Sequence, residues 1–189
     1  MGRWWVLYED WQMECCGTPF SVGEEVTWPL VLDYAEDLLG GGWFEQLGKI
    51  SAPVEWVRDG DGGGVIQTLR ADDGLVAALH GDPVEESGPT PDRWVRRVGL
   101  LTVERHRGRW PETTGRVLAI ALVHQGFVET GPDTREYFPD PQDRFLEPVT
   151  SCPSRFGGEY DDIRTETGAR RHRGRTGVLV ELHVPDPRT

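Results

Sequence analysis

The residues of this chain with the widest chemical reach are three cysteines and five histidines. Cys15 and Cys16 are adjacent, Cys152 lies far downstream, and the histidines stand at 80, 106, 124, 172 and 183. A zinc set drawn from Cys15, Cys16, Cys152 and His172 is the first chemistry to weigh. Zinc ligands normally come in pairs two to four residues apart, so that one turn presents both. If residues 4–15 form a strand, neighbouring side chains point to opposite faces, and Cys152 has no partner close in sequence. The reading is therefore buried free thiols, with no metal and no cofactor expected. A Cys16 placed where the strand meets the following turn would instead be an exposed thiol, nucleophilic if a base stood beside it.

Other constellations are weaker. Asp59-Gly60-Asp61-Gly62-Gly63-Gly64 starts like a calcium loop, but Gly63 and Arg70 stand where such a loop needs an oxygen ligand and a bidentate glutamate. A hairpin turn explains it better. Paired carboxylates (Glu24-Glu25, Asp72-Asp73, Glu85-Glu86, Asp161-Asp162) arise readily by chance among 32 acids. The histidines show no H-E-x-x-H spacing, and G-x-S-x-G, a P-loop and a dinucleotide-binding G-x-G-x-x-G after a strand are all missing. One dense basic run, Arg170, Arg171, His172, Arg173 and Arg175, is a candidate phosphate-contacting patch, which the arginines of 93–109 would widen if they folded beside it. Trp43 and Trp110 lie in turn-like sequence and are expected to be exposed, where a tryptophan beside glycine could line a pocket. With Asp10, Gln12, Glu14 and Cys16, the polar half of the first strand, they make up the candidate binding surface.

Charge sets limits on partners. The net charge is −12 over 189 residues. Residues 1–90 carry 17 acids against 4 bases, a balance of −13, and residues 91–189 carry 15 against 16. The acidic half repels nucleic acid and anionic membranes. No stretch approaches the ~20 apolar residues of a membrane span, and the N-terminus lacks a signal-peptide pattern. An odd cysteine count is no disulfide framework, so a cytoplasmic location is expected. Lys49 is the only lysine and asparagine is absent. Both use A/T-rich codons, so this bias points to a GC-rich genome.

The elements that must position these groups are mostly short strands. Residues 4–15 and 22–32 read as a hairpin pair, with a free edge at Pro29. Residues 33–47 hold one or two helical turns broken by Gly40-Gly41-Gly42. Val54–Arg58 and Val65–Arg70 flank a turn, Leu75–His80 and Trp94–Arg105 follow, and Val117–His124 is a buried strand. Thr134–Phe138 pairs next. Residues 139–175 read as a long irregular segment, and 176–185 as the closing strand. The fold class is mainly β, one domain over 1–189: an antiparallel small barrel or sandwich, an OB- or SH3-like barrel among the options, with one or two short helices.

The stretch WVLYEDWQMECCGTPFSVGEEVTWPL resembles the N-terminal signature of an uncharacterised protein family of actinobacteria, Streptomyces and relatives, a domain of unknown function. The resemblance is specific over residues 4–32, weaker to about residue 128, and leaves out 150–175. It implies no activity and transfers no catalytic residues. The expected function is a non-enzymatic binding module for a protein or small-molecule ligand. The alternatives are an enzyme built from scattered residues such as Cys16, His80, His106 or His124, and weak nucleic-acid binding through 93–109 and 170–175.

Overall fold

Alternating apolar and polar residues resolve into strands along much of the described chain. A computed structural model describes residues 2–59, 64–80, 94–131, 134–157, 163–164 and 170–185. In chain order the strands are β1 (Gly2–Glu9), β2 (Glu25–Trp28), β3 (Leu30–Asp33), β4 (Gly48–Arg58), β5 (Val65–Arg70), β6 (Val76–Leu79), β7 (Trp94–Val103), β8 (Thr113–Glu129), β9 (Tyr137–Val149), β10 (Ile163–Arg164) and β11 (Arg170–Val184). The helix α1 (Asp10–Cys16) follows β1, and one 3₁₀ turn covers Ala35–Asp37. No helix among the described residues is long and apolar enough to cross a membrane.

The mainly β expectation holds, but the architecture is not a simple barrel. The strands form one large sheet in the order β2-β8-β11-β1-β7-β3-β6-β5-β4, and β4 pairs again with β7, so that five strands close a ring within it. The pairing is mixed, with β1–β7 and β3–β6 parallel.

The expected N-terminal hairpin does not form. β1 pairs instead with β11, from Gly2↔Val184 to Glu9↔Gly177, and with β7. The 22–32 strand breaks at Pro29, which has no N–H for a ladder. β2 goes to β8, while β3 goes to β7 and β6. Pro29 is thus a crossing point rather than a free edge. The first strand also ends early, at Glu9. Residues 10–16, DWQMECC, contain no β-branched residue, glycine or proline, and they coil into α1 until Gly17-Thr18-Pro19 stops it. The expected turn at 59–64 does join β4 to β5, which pair from Val54↔Leu69 to Arg58↔Val65; its residues 60–63 lie outside the described set.

The segment expected to be irregular, 139–175, is partly strand. Residues 139–149 belong to β9 and 170–175 to β11; residues 158–162 and 165–169 lie outside the described set. β9 holds Pro139, Pro141 and Pro148 without loss because, among the described residues, it pairs with β8 on one side only.

Val6, Leu7 and Tyr8 are fully buried because β1 is central. Val6 and Tyr8 face the main core with Leu101, Val103, Val178 and Val180. Leu7 faces a second cluster, with Leu100, Val123, Leu179 and Trp43. The loop after β3 covers that second face through Ala35, Leu38, Leu39, Leu47 and Trp43, and its backbone shapes the first site described below.

Candidate functional site

Four consecutive residues of this loop are left-handed: Leu39 (φ 51°), Gly40 (78°), Gly41 (80°) and Gly42 (82°). Glycine adopts this region without a Cβ penalty, so the triple glycine is a shape requirement and not merely a helix breaker. A Cβ on Gly40 would lie 2.9 Å from the Pro139 carbonyl oxygen, and one on Gly42 would lie 3.2 Å from Pro141 Cβ. A loop so coiled needs its carbonyls satisfied from outside, and Arg144 of β9 does so. Its Nη1 donates to Gly41 O (2.7 Å), its Nη2 to Leu39 O (2.5 Å) and its Nε to Gln125 Oε1 (2.6 Å). The guanidinium also lies 3.9 Å over the Trp43 ring. Burial pushes Arg144 down to about 10.

Between this loop and β9 lies a cleft of about 520 Å³, walled by Trp43, Phe44, Leu47, Pro141 and the three glycines, with Glu36 at its edge. Trp43 is a fixed wall, 2% exposed, its indole N–H donating to Leu38 O at 2.8 Å. Phe44 is 85% exposed. Among the described residues, Glu36 is the only titratable side chain in the lining.

A second cluster sits on α1. Positions 12, 15 and 16 share a helix face, being three and four residues apart. The buried Gln12 amide donates to Val103 O (2.7 Å) and accepts from the Arg105 backbone N–H (3.0 Å). This staple holds the helix against the segment after β7 and brings Cys15 Sγ to 3.6 Å and Cys16 Sγ to 3.4 Å from His106 Nε2. Trp11 stacks on the His106 ring at 5.2 Å, and Glu104 accepts the His106 backbone N–H at 2.7 Å. Both thiols are exposed, whereas Cys152 is buried. Desolvation, with Cys15 beside it, pushes the Cys16 thiol up. Burial pushes Cys152 up to about 12.

Acidic side chains gather at the β1–α1 junction. Burial, and then the negative charge of Asp33, Asp10 and Glu104, pushes the Glu9 carboxyl up, against a hydrogen bond with Trp11. Nearby, His80 Nδ1 lies 3.1 Å from Asp33 Oδ1, Thr102 donates to Asp33 Oδ2 (2.6 Å), and Arg107 pairs with Glu104 (3.3 Å) and contacts His80. A carboxyl raised on folding holds its proton to higher pH in the native than in the unfolded state. Stability is therefore lost as pH rises through the folded value. Glu9→Gln is expected to raise the melting temperature near neutral pH, with the gain vanishing below about pH 4, where both states are protonated. Parallel thermal melts at the two pH values check this; an equal gain at both would show that charge is not the cause.

The basic run lies on β11, and its charges are largely matched. Arg171 pairs with Asp140 at 2.9 Å, and Arg173 pairs with Asp143 and lies over Phe145. Both arginines reach across β8, where Gly126 leaves the space: a Cβ there would fall 2.0 Å from Asp143 Oδ2. His172 is packed between Phe127 and Tyr137. The Arg170 backbone N–H donates to Glu129, and Arg175 is exposed opposite His124.

The expected binding surface is thus divided. Asp10, Gln12, Glu14 and Cys16 lie on α1, where Asp10 accepts the Trp11 N–H, Gln12 is buried as a staple, and Glu14 accepts the Phe156 N–H at 2.6 Å. Trp43 walls the cleft. Trp110 lies elsewhere, in a cluster with Val31 and Ala78, its N–H donating to Leu30 O at 3.0 Å. The expected exposure of Trp43 and Trp110 is corrected: each indole donor found a backbone carbonyl, which frees the ring to pack. Among the other candidate residues, His80 is paired with Asp33, and His124 with Glu147 at 2.7 Å. Arg144 carried no motif, so nothing in the sequence singled it out.

No curated protein and no solved structure matches this chain. A family description does match, over residues 2–184, and so takes in the 150–175 region that the N-terminal resemblance left out. On that match the chain belongs to a family of unknown function, DUF6578.

Proposed function

We propose that this chain is a cytoplasmic, actinobacterial binding module, and that its ligand is a small, largely apolar amine seated in the Trp43–Phe44 cleft. The observation that carries this reading is the cleft itself: about 520 Å³, walled by aromatic and aliphatic side chains, with Glu36 as the one ionisable group of its lining among the described residues. That volume suits a small molecule, for which sites of roughly 300–1,000 Å³ are usual. The Arg144 fork and the left-handed glycines set the wall in advance, which lowers the ordering cost of binding. A lone carboxylate selects a donor or a cation but supplies no acid–base pair, so binding is favoured over turnover. Free cysteines support a reducing compartment.

The thiol-enzyme alternative finds less support. His106 Nε2 stands 3.4 Å from Cys16 Sγ, as an activating base would, but desolvation pushes the Cys16 thiol up rather than down.

Titration with phenethylamine, followed by amide NMR, tests the proposal. Signals of Gly40–Phe44 and Gln142 are expected to move together, and Glu36→Gln to weaken binding about tenfold, the effect of one modest ionic contact. Equal binding of phenylacetate, or shifts scattered away from the loop, would overturn it.

A further inference from the structure

We propose that Cys15, Cys16 and His106 form a zinc site with one open coordination position. The ligating atoms of these three residues all lie within 4.8 Å of one another. Zinc–sulfur bonds of about 2.3 Å and zinc–nitrogen bonds of about 2.0–2.1 Å at a tetrahedral angle place sulfur and nitrogen about 3.5 Å apart. The two observed separations from His106 Nε2, 3.6 and 3.4 Å, bracket that edge. One ion at the apex would take both of these sulfur–nitrogen edges as they stand.

Hydrogen bonds can serve the metal-free cluster, Cys16 donating to Gln12 O and Nε2 being left for Cys15, whereas a metal ion would engage both sulfurs and Nε2 at once. Nε2 offers one lone pair or one N–H, so it serves one sulfur at a time, yet both sulfurs converge on it. The Cys16 thiol is also within reach of Gln12 O at 3.4 Å. The helix explains how adjacent cysteines can share a ligand. Successive side chains on a helix are about 100° apart, from 3.6 residues per turn, not opposed as on a strand.

The support around the cluster is that of a held site. Gln12 is 1% exposed and ties α1 to Val103 and Arg105; Glu104, 6% exposed, holds the His106 backbone. Trp11 covers one face of the imidazole. Two thiolates and an imidazole are a soft donor set that suits a d¹⁰ ion. Three protein ligands on an exposed surface leave a fourth position for water or for a donor from a partner. None of these residues lines the Trp43 cleft, so this site stands or falls separately from the proposed ligand.

The test uses the full chain, reduced and freed of metal, titrated with Co²⁺ and then with Zn²⁺ in competition. One equivalent of Co²⁺ is expected to give thiolate-to-cobalt charge transfer and the intense visible bands of tetrahedral cobalt, both lost on adding one equivalent of Zn²⁺. Cys15→Ser, Cys16→Ser and His106→Ala should each weaken binding by about 100-fold or more, beyond the usual loss for an outer-shell contact. Cys152→Ala should leave the spectrum unchanged, and circular dichroism confirms that each variant is folded. Absence of a charge-transfer band, or parent-like cobalt affinity in the folded His106→Ala protein, would overturn the proposal.

Discussion

Arg144→Leu is expected to destabilise the protein by about 3 kcal/mol and to abolish binding in the Trp43–Phe44 cleft. The leucine keeps much of the volume but removes three donors at once. The carbonyls of Leu39 and Gly41 lose the fork that spans them, and Gln125 Oε1 loses its partner. Gln125 is fully buried, and its amide nitrogen is already committed to Gly126 O and Asp140 O, so it cannot turn to compensate. Each buried acceptor left unpaired costs about 1–3 kcal/mol, and of the two loop residues Gly41 is buried and Leu39 half-buried. The contact with the Trp43 ring, worth roughly 0.5–2 kcal/mol elsewhere, goes too. Arg144→Lys separates charge from geometry. An ammonium keeps the charge but cannot bridge two carbonyls and a side-chain amide in one plane, so it should recover less than half of the loss. Urea midpoints at unchanged slope measure both variants. A leucine variant within about 0.5 kcal/mol of the parent, the range of an ordinary surface change, would show that the loop holds itself.

How much of this was readable beforehand differs by element. The β4–β5 hairpin was legible because a dense turn signal separates two short β-rich runs. The valines of 117–123 marked a central strand for the same local reason. Partners were not legible: β1 pairs with β11 across the length of the chain, and no local pattern encodes that register. The prolines of 139–148 read as coil because an interior strand would reject them, whereas β9, among the described residues, pairs on one side only. The helix was hidden by an ambiguity of period. In DWQMECC the polar and apolar residues fit alternation about as well as a helical turn, and with no β-branched residue, glycine or proline nothing in the segment opposes the helix. That one difference reversed the reading of the cysteines. On a strand they diverge; on α1 they converge on a histidine 90 residues away. The glycine triplet was visible, but its role was not, because the arginine that needs its carbonyls is 103 residues downstream.

Gln12 is where the fold and the proposed metal site meet, and Gln12→Leu is expected to lower stability by about 2–3 kcal/mol and zinc affinity by about 10–100-fold. The side chain is nearly isosteric, so packing is kept while both staple bonds are lost. Val103 O loses the amide donor at 2.7 Å, and the Arg105 N–H loses its acceptor at 3.0 Å. Leucine offers neither group, so hydrogen exchange at the Arg105 amide should accelerate. Gln12→Glu supplies the contrast: its carboxylate still accepts from Arg105 but faces Val103 O without a donor, so Arg105 protection should survive while stability falls. The cobalt spectrum distinguishes the roles. A residue that only positions the ligands changes the metal affinity and leaves the charge-transfer band in place, because both thiolates and the imidazole still bind once the helix is docked. Loss of the band itself in a folded Gln12→Leu protein would mean that the helix no longer docks at all. Parent-like affinity and Arg105 protection together would show that α1 is held by Met13 and the core beneath it, not by this staple.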